Sequence, residues 1–343
     1  MKRLTRFLAS MAVLFAITPI AGNAVAGDKE IPRQTSFGGS CVKCELAGRN
    51  MAGARIVGAN FSGANLTGAN LRDARFHASV FSGADLTKAD LSDAAMAGAV
   101  FSSANLTAAR MRAAEANGVV FIQANLTKAD LSDAEASGAV FRKAILVSAI
   151  LRSATLRGVM FEGADLTRAS MHDIEAQGAN FSKTRLSSAV LRGAELQHAN
   201  FTRADANHVN MQDADLTGAQ LSHAVFSHAS FRNADMASAN LSSATFDGAD
   251  FRGADLTRAM LHGADLSNAR GLTQDQLDDA CGDTRTRLPR GLTVRNCTGV
   301  RMIVKPDVYR TMRMVPAVPA APPAPPSPPS PPSPRYFLTT AAQ

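Results

Sequence analysis

The sequence predicts an all-β solenoid whose coils are square. Two observations carry this. Alanine recurs at nearly every fifth position for more than two hundred residues, as in Ala64-Asn65-Leu66-Thr67-Gly68-Ala69-Asn70-Leu71 and again in Ala249-Asp250-Phe251-Arg252-Gly253-Ala254-Asp255-Leu256, with departures at Ser79, Val119, Val159, Ile174, Thr184 and Val209. Phenylalanine then recurs at every twentieth position, at Phe61, Phe81, Phe101, Phe121, Phe141, Phe161, Phe181 and Phe201. An amphipathic helix needs a period near 3.6 and a half-buried strand a period of two, and five suits neither. It suits a chain that turns a corner every five residues and points two side chains inward per side. Four such sides make a coil, so identical residues twenty apart stack as ladders.

The ladders fill an interior. The central apolar slot runs from Leu46 to Leu266 without a polar or charged occupant. One ladder is the Phe run, a second reads Leu66, Leu86, Leu106, Leu126, Leu146, Leu166, Leu186, and a third reads Met51, Leu71, Leu91, Met111, Leu131, Leu151, Met171. Aromatics later move to other sides, at Phe226 and Phe246 and at Phe231 and Phe251. The fourth ladder, Ile56, Phe76, Met96, Ala116, Ala136, Leu156, Ala176, Leu196, is thin. Each missing Leu costs roughly 2–5 kcal/mol if its space stays empty. Ile174 can offset Ala176 and Met96 can lean toward Ala116, but Ala136 has no evident filler, so loose packing or a bend is expected there. Glycines such as Gly63, Gly68, Gly163 and Gly253 suit corners that need a positive φ.

The unit A-(D/N)-L-x-x over residues 44 to 270 resembles the pentapeptide repeat family. The resemblance implies a right-handed quadrilateral β-helix. The array has room for about 11 coils, roughly 50 Å of height at ~4.8 Å per coil.

The ends differ from the array. Residues 1–26 have the parts of a secretory signal peptide: Lys2, Arg3 and Arg6, an apolar run from Phe7 to Ile20, and Ala24-Val25-Ala26 as the cleavage site. The run is shorter than the ~20 residues a span needs and contains Pro19, so no stable membrane span is expected after cleavage. The mature chain is expected to start at Gly27 and to be periplasmic or secreted. Residues 27–43 read as an N-terminal cap. Residues 271–297 read as a C-terminal cap, with Thr273 and Gln276 in capping-box spacing and a helix over about Gln274 to Cys281. A lid of this kind would cover strand edges that could otherwise template aggregation. Residues 298–343 read as a Pro-rich tail, typified by Pro322-Pro323-Ala324-Pro325-Pro326, that cannot form a core.

Export permits disulfides, and four cysteines allow three pairings. Local pairing, Cys41 with Cys44 and Cys281 with Cys297, is expected. Redox or metal roles for Cys41-Val42-Lys43-Cys44 are disfavoured, because no thioredoxin-like context surrounds it and the other cysteines lie at the far end.

The composition excludes several functions. The chain carries a formal charge of +7, but residues 44–270 hold 21 Lys and Arg against 22 Asp and Glu. Some members of the family bind DNA gyrase as acidic DNA mimics. That needs a strongly negative rod and a cytoplasmic address, so a topoisomerase-interacting DNA mimic stands as an alternative reading only. Nucleic-acid binding is not expected, since no basic stripe with stacking aromatics is present. Inward slots leave no room for catalytic groups, so the chain is read as no enzyme, with groups in the caps as a remote alternative. No cofactor and no metal site is expected. His208 and His228, one coil apart, are placed to stack, with no third ligand evident. The threonines at 67, 87, 107, 127 and 167 are interrupted by Val147 and flanked by Asn and Asp, which argues against an ice-binding array.

The informative surface is apolar. The slot before each Phe is usually Asp or Asn, yet it holds Val80, Val100, Val120, Val140 and Met160 on successive coils. Ile122 joins them, and Ile145, Val147 and Ile150 are expected on adjoining sides, together giving a patch on the scale that marks contact sites. The expected function is an exported, non-catalytic scaffold, with an envelope protein or a second copy of the chain as partner.

Overall fold

The computed structural model describes residues 39–297. The expected signal peptide, the expected Pro-rich tail and most of the expected N-terminal cap lie outside the described residues. From Ser40 onward the chain climbs as a solenoid: Ser40 bridges Asn60, Asn60 bridges Val80, and the same parallel offset of twenty persists to Asp250 and Arg270. Four pentapeptides therefore close one coil.

The pentapeptide from Phe61 to Asn65 uses its backbone amides completely. Phe61 N donates up to Val80 O at 2.7 Å, Gly63 N donates up to Ser82 O at 2.9 Å, and Asn65 N donates down to Cys44 O at 2.9 Å. Ala64 N closes the corner on Phe61 O at 3.0 Å. The remaining amide, Ser62 N, is taken by the side chain of Asn60 at 3.0 Å. Buried backbone polar groups must be paired, and this explains why Asp and Asn dominate the slot before the central residue. Only the third residue of each corner has positive φ, as at Gly63 (φ 64) and Lys88 (φ 57), which is the type II arrangement. Many of these corners are not glycine: Asp73, Ala108, Ala113, His198 and Lys183 all adopt it.

The interior follows the sequence ladders. The Phe rings from Phe61 to Phe201 stack with centroids 4.7 to 5.3 Å apart. Phe226 then meets Phe201 edge-on at 6.5 Å and starts a new stack with Phe246, while Phe231 stacks on Phe251. Large side chains thus trade sides without leaving the core. At Ala136 the backbone ladder does not bend: Ala136 N still reaches Thr155 O at 2.8 Å. What changes is ring tilt, which reaches 25° between Phe141 and Phe161, against 1° between Phe181 and Phe201.

The top is closed by a lid. Helix α1, Gln274–Asp278, starts at Thr273 with a capping box to Gln276. It ends earlier than the sequence reading placed it, because Cys281 has joined the top coil: strand β1, Cys281–Gly282, continues the coil by bridging Met260 and pairs in parallel with strand β2, Arg295–Asn296. Gln276 Nε2 donates to Phe251 O at 2.9 Å and to Ala254 O at 2.6 Å, so the lid satisfies carbonyls that would otherwise end the ladder open. Leu277 is fully buried beneath it. Disulfides join Cys41 to Cys44 and Cys281 to Cys297, at the two ends of the described solenoid.

Candidate functional site

The apolar row is a true ladder. Val80 bridges Val100, which bridges Val120, then Val140, then Met160. Asn60 bounds it below and Asn180 above. Each occupant stands where Asn60 takes the Ser62 amide, and a hydrocarbon side chain cannot accept that bond. The amides of Ser82, Ser102, Ile122, Arg142 and Glu162 therefore lack the acceptor their counterparts have at Ser62 and Ser182. Five successive coils forgo an interaction worth about 0.5–1.5 kcal/mol each.

Two parts of the expected patch need correction. Val140 is only 7% exposed, flanked in the ladder by Val120 and the longer Met160, so it supports the surface without presenting much of itself. Ile150 bridges Asp130 and Ser170 on the side opposite the Val row, since ten residues are half of a four-sided coil, and it cannot belong to the same surface. Ile145 is 43% exposed on the next side, between Asn125 and Asp165. Met160, at 44%, is the most exposed residue of the row, while Val80, Val100, Val120 and the corner residue Ile122 are half-buried.

The two edges of this side differ. On the entering corner, Gly118, Gly138, Gly158 and Gly178 have open space where a Cβ would sit, which leaves a low edge. On the leaving corner, Ile122, Arg142, Lys143, Glu162 and Lys183 line a shallow open depression. Lys183 pairs with Glu162 at 3.0 Å, and this hydrogen bond and charge hold the Glu162 carboxyl below its usual range.

The near-neutral charge count hid a segregation. The side preceding the Val row carries Glu115, Glu135, Thr155, Glu175, Glu195, Asp215, Asp235 and Asp255 in one bridged ladder. Reading every twentieth residue reveals it, whereas the total averages it away. Arg157 meets Glu175 at 2.6 Å, and Gln177 and Gln197 donate to Glu195 and Asp215 respectively. At Asp215 burial raises the carboxyl pKa, but bonds from Thr217 and Gln197 outweigh it and leave it below the ordinary value.

His208 and His228 stack as expected, with centroids 5.0 Å apart and planes 13° from parallel. Among the described residues no group of three or more His, Cys, Asp or Glu is placed to hold a metal ion. No helix among them is long and apolar enough to cross a membrane. The threonine hydroxyls at 87, 107, 127 and 167 turn onto the Asp or Asn two residues earlier, at 2.5 to 2.7 Å.

A parallel ladder of twenty-residue coils with corner-forming pentapeptides defines a quadrilateral β-solenoid. The chain belongs to the pentapeptide repeat family: the model of pentapeptide repeats matches eight copies between residues 40 and 270. The solenoid is accordingly a right-handed β-helix. Among solved structures, it is similar to HetL, a pentapeptide repeat protein involved in heterocyst differentiation regulation in the cyanobacterium Nostoc, with 32% identity over 64% of this chain and 89% of that one and a TM-score of 0.43. A pentapeptide repeat protein of the Arabidopsis thaliana thylakoid lumen shares 34% identity over 29% of this chain and 69% of its own, with a TM-score of 0.25. Full-length QnrB1, a plasmid-mediated fluoroquinolone resistance protein, shares 19% identity over 68% of this chain and 94% of its own, with a TM-score of 0.29. No protein among those with curated descriptions matches by sequence.

Proposed function

We propose that this chain is an exported, non-catalytic scaffold of the cell envelope that works by binding protein through its Val side. In this reading it is a capped tower of about 11 coils, closed above by α1, with the Pro-rich tail beyond. The observation that carries it is the unbroken apolar ladder on five consecutive coils of one side, from Val80 to Met160, in a slot that holds Asn60 below and Asn180 above. A run of hydrocarbon side chains in a solvent-facing slot is what a contact site leaves behind. The leader-like residues 1–26 and two disulfides support an oxidising compartment. Cell fractionation with N-terminal sequencing tests the address. The reading predicts a mature chain starting at Gly27 outside the cytoplasm, and a full-length cytoplasmic chain contradicts it.

A second reading draws on one observation, the acidic ladder from Glu175 to Asp255. A negative strip along a rod is the surface a DNA mimic needs, and QnrB1, described as a fluoroquinolone resistance protein, is among the chains similar to this one. It requires cytoplasmic residence, so the same fractionation separates the two readings.

A further inference from the structure

The side opposite the Val row carries a pattern with twice the period of the coil. Its central ladder climbs from Asn70 through Arg110 and Ile150 to Val190. The segment Leu-Thr-Lys-Ala-Asp-Leu-Ser-Asp-Ala occurs at 86–94 and again, unchanged, at 126–134, two coils higher. The surface charges follow this two-coil unit. On the leaving corner, the slot next to this side holds Arg72, Arg112, Arg152 and Arg192. On the entering corner, the slot next to this side holds Lys88, Lys128 and Arg168, on the coils between. Each of the coils from Asn70 to Val190 thus presents one exposed Lys or Arg at its edges, and the edge alternates from coil to coil.

The carboxylates nearby do not cancel this stripe. Asp90 and Asp130, at the centre of the side, turn onto their own corners, where each accepts from the amide and hydroxyl of the serine two residues on, Ser92 and Ser132. Arg72, Arg112 and Arg192 reach Asp93, Asp133 and Asp213 at 3.2 to 3.4 Å, yet 52 to 59% of each arginine side chain stays exposed. Those pairs fix the guanidinium groups and leave further N–H donors facing outward. Among the described residues no carboxylate pairs with Lys88, Lys128 or Arg168. The stripe therefore offers one cation per coil, left and right in turn, at about 4.8 Å of rise and over about 29 Å. That spacing selects among anionic chains. An extended polypeptide rises only about 3.3 Å per residue. The phosphates of a nucleic-acid strand follow at about 3.4 Å, and no Phe or Tyr stands on this side for a base to stack on. A ribbon of 1,4-linked pyranoses turns over at every sugar, so the carboxylates of a polyuronate stand on alternate edges, with a rise close to that of one coil.

We propose that this side binds a linear polyuronate, a chain of 1,4-linked uronic acids that lies along the central ladder with its carboxylates taken left and right by Arg112, Lys128, Arg152 and Arg168. Guanidinium groups hold carboxylates through paired, charge-assisted hydrogen bonds. The proposal does not rest on the Val side, which faces the other way, so either contact can fail without the other. Calorimetric titration of the purified chain with β-1,4-linked polyglucuronate oligomers is the test. Binding that weakens as salt rises is expected, because exposed charges are screened. The triple variant Lys88→Gln, Lys128→Gln, Arg168→Gln should bind about tenfold or more weakly. The triple variant Arg55→Gln, Arg203→Gln, Arg258→Gln removes as many charges from other sides and should bind like the wild type. Cello-oligosaccharides, which share the linkage and lack the carboxylates, should not bind. No binding of polyglucuronate at low salt, or an equal loss in the two triple variants, overturns the proposal. So does binding of oligo(dT) or of phosphatidylglycerol vesicles as tight as that of polyglucuronate, since the spacing would then select nothing.

Discussion

Asn60 Oδ1 accepts the backbone amide of Ser62 at 3.0 Å, and this one bond explains both the family's consensus and this chain's departure from it. One coil higher, Val80 occupies the same slot and has nothing to offer Ser82. Asn reappears at Asn180, and the bond returns with it, to Ser182 at 2.9 Å.

Restoring the acceptor should therefore stabilise the tower. Val120→Asn and Val100→Asn are each expected to add about 1 kcal/mol, the typical worth of a recovered hydrogen bond. Chemical denaturation measures this. The same variants should bind partners less well, since they remove apolar surface where contact is proposed.

Corners with a side chain in the left-handed region hold removable strain. Ala108 and Ala113 sit at φ 56 and 52. Glycine accepts that backbone freely, and Ala108→Gly or Ala113→Gly should raise the thermal midpoint, by about 1 kcal/mol of stability each. The opposite change at Gly138, φ 66, should destabilise even though space is open there.

The Phe stack should be the most sensitive part of the core. Phe141 is fully buried between Phe121 and Phe161, at 4.7 and 5.0 Å. Phe141→Ala should cost about 3–5 kcal/mol, and Phe141→Leu much less. Urea unfolding would show the difference.

The upper disulfide pins β2 to the coil strand β1. Replacing both Cys281 and Cys297 with serine should cost about 3 kcal/mol, as a closed loop of this length predicts. Aggregation should increase with it, because the lid's hold on the last coil loosens. Light scattering during heating reads both effects.

Acid should weaken the structure through the corner aspartates. At Asp90 and Asp165 burial raises the carboxyl pKa, but the Ser92 and Arg110 bonds in one case, and the Arg185 and Thr167 bonds in the other, more than reverse it. At Asp255 and Asp265 the hydroxyls of Thr257 and Ser267 are the leading cause of lowering. A folded pKa below the unfolded one gives stability that is present above about pH 4 and lost as pH falls through the folded value. The thermal midpoint should be flat near neutrality and fall steeply below pH 4. Asp90→Asn with Asp165→Asn should make that fall shallower.

The inward half of this molecule was legible in the sequence, because burial follows the five-residue beat: Leu66, Phe81 and Ala136 lie where the pattern put them. The local cysteine pairs were legible for a similar reason, as each pair sits at one end. The outer surface was less so. Ile150 is expected on a side adjoining the Val row, whereas its position in the coil sets it on the opposite side. The acidic ladder shows only down its column, since the total along the chain averages it away. Lys88 and Asp73 gave no hint of their left-handed backbone, since nothing in those side chains marks a corner as Gly63 does.

The central claim is that the Val side is where this protein makes contact. Crosslinked capture from the envelope, comparing the wild-type chain with one carrying Val100→Asp, Val120→Asp and Met160→Asp, tests it most directly. The account predicts that the folded triple variant loses the crosslinked species of the wild type, whether a second copy or another protein. An identical crosslinking pattern from a correctly folded triple variant would contradict it.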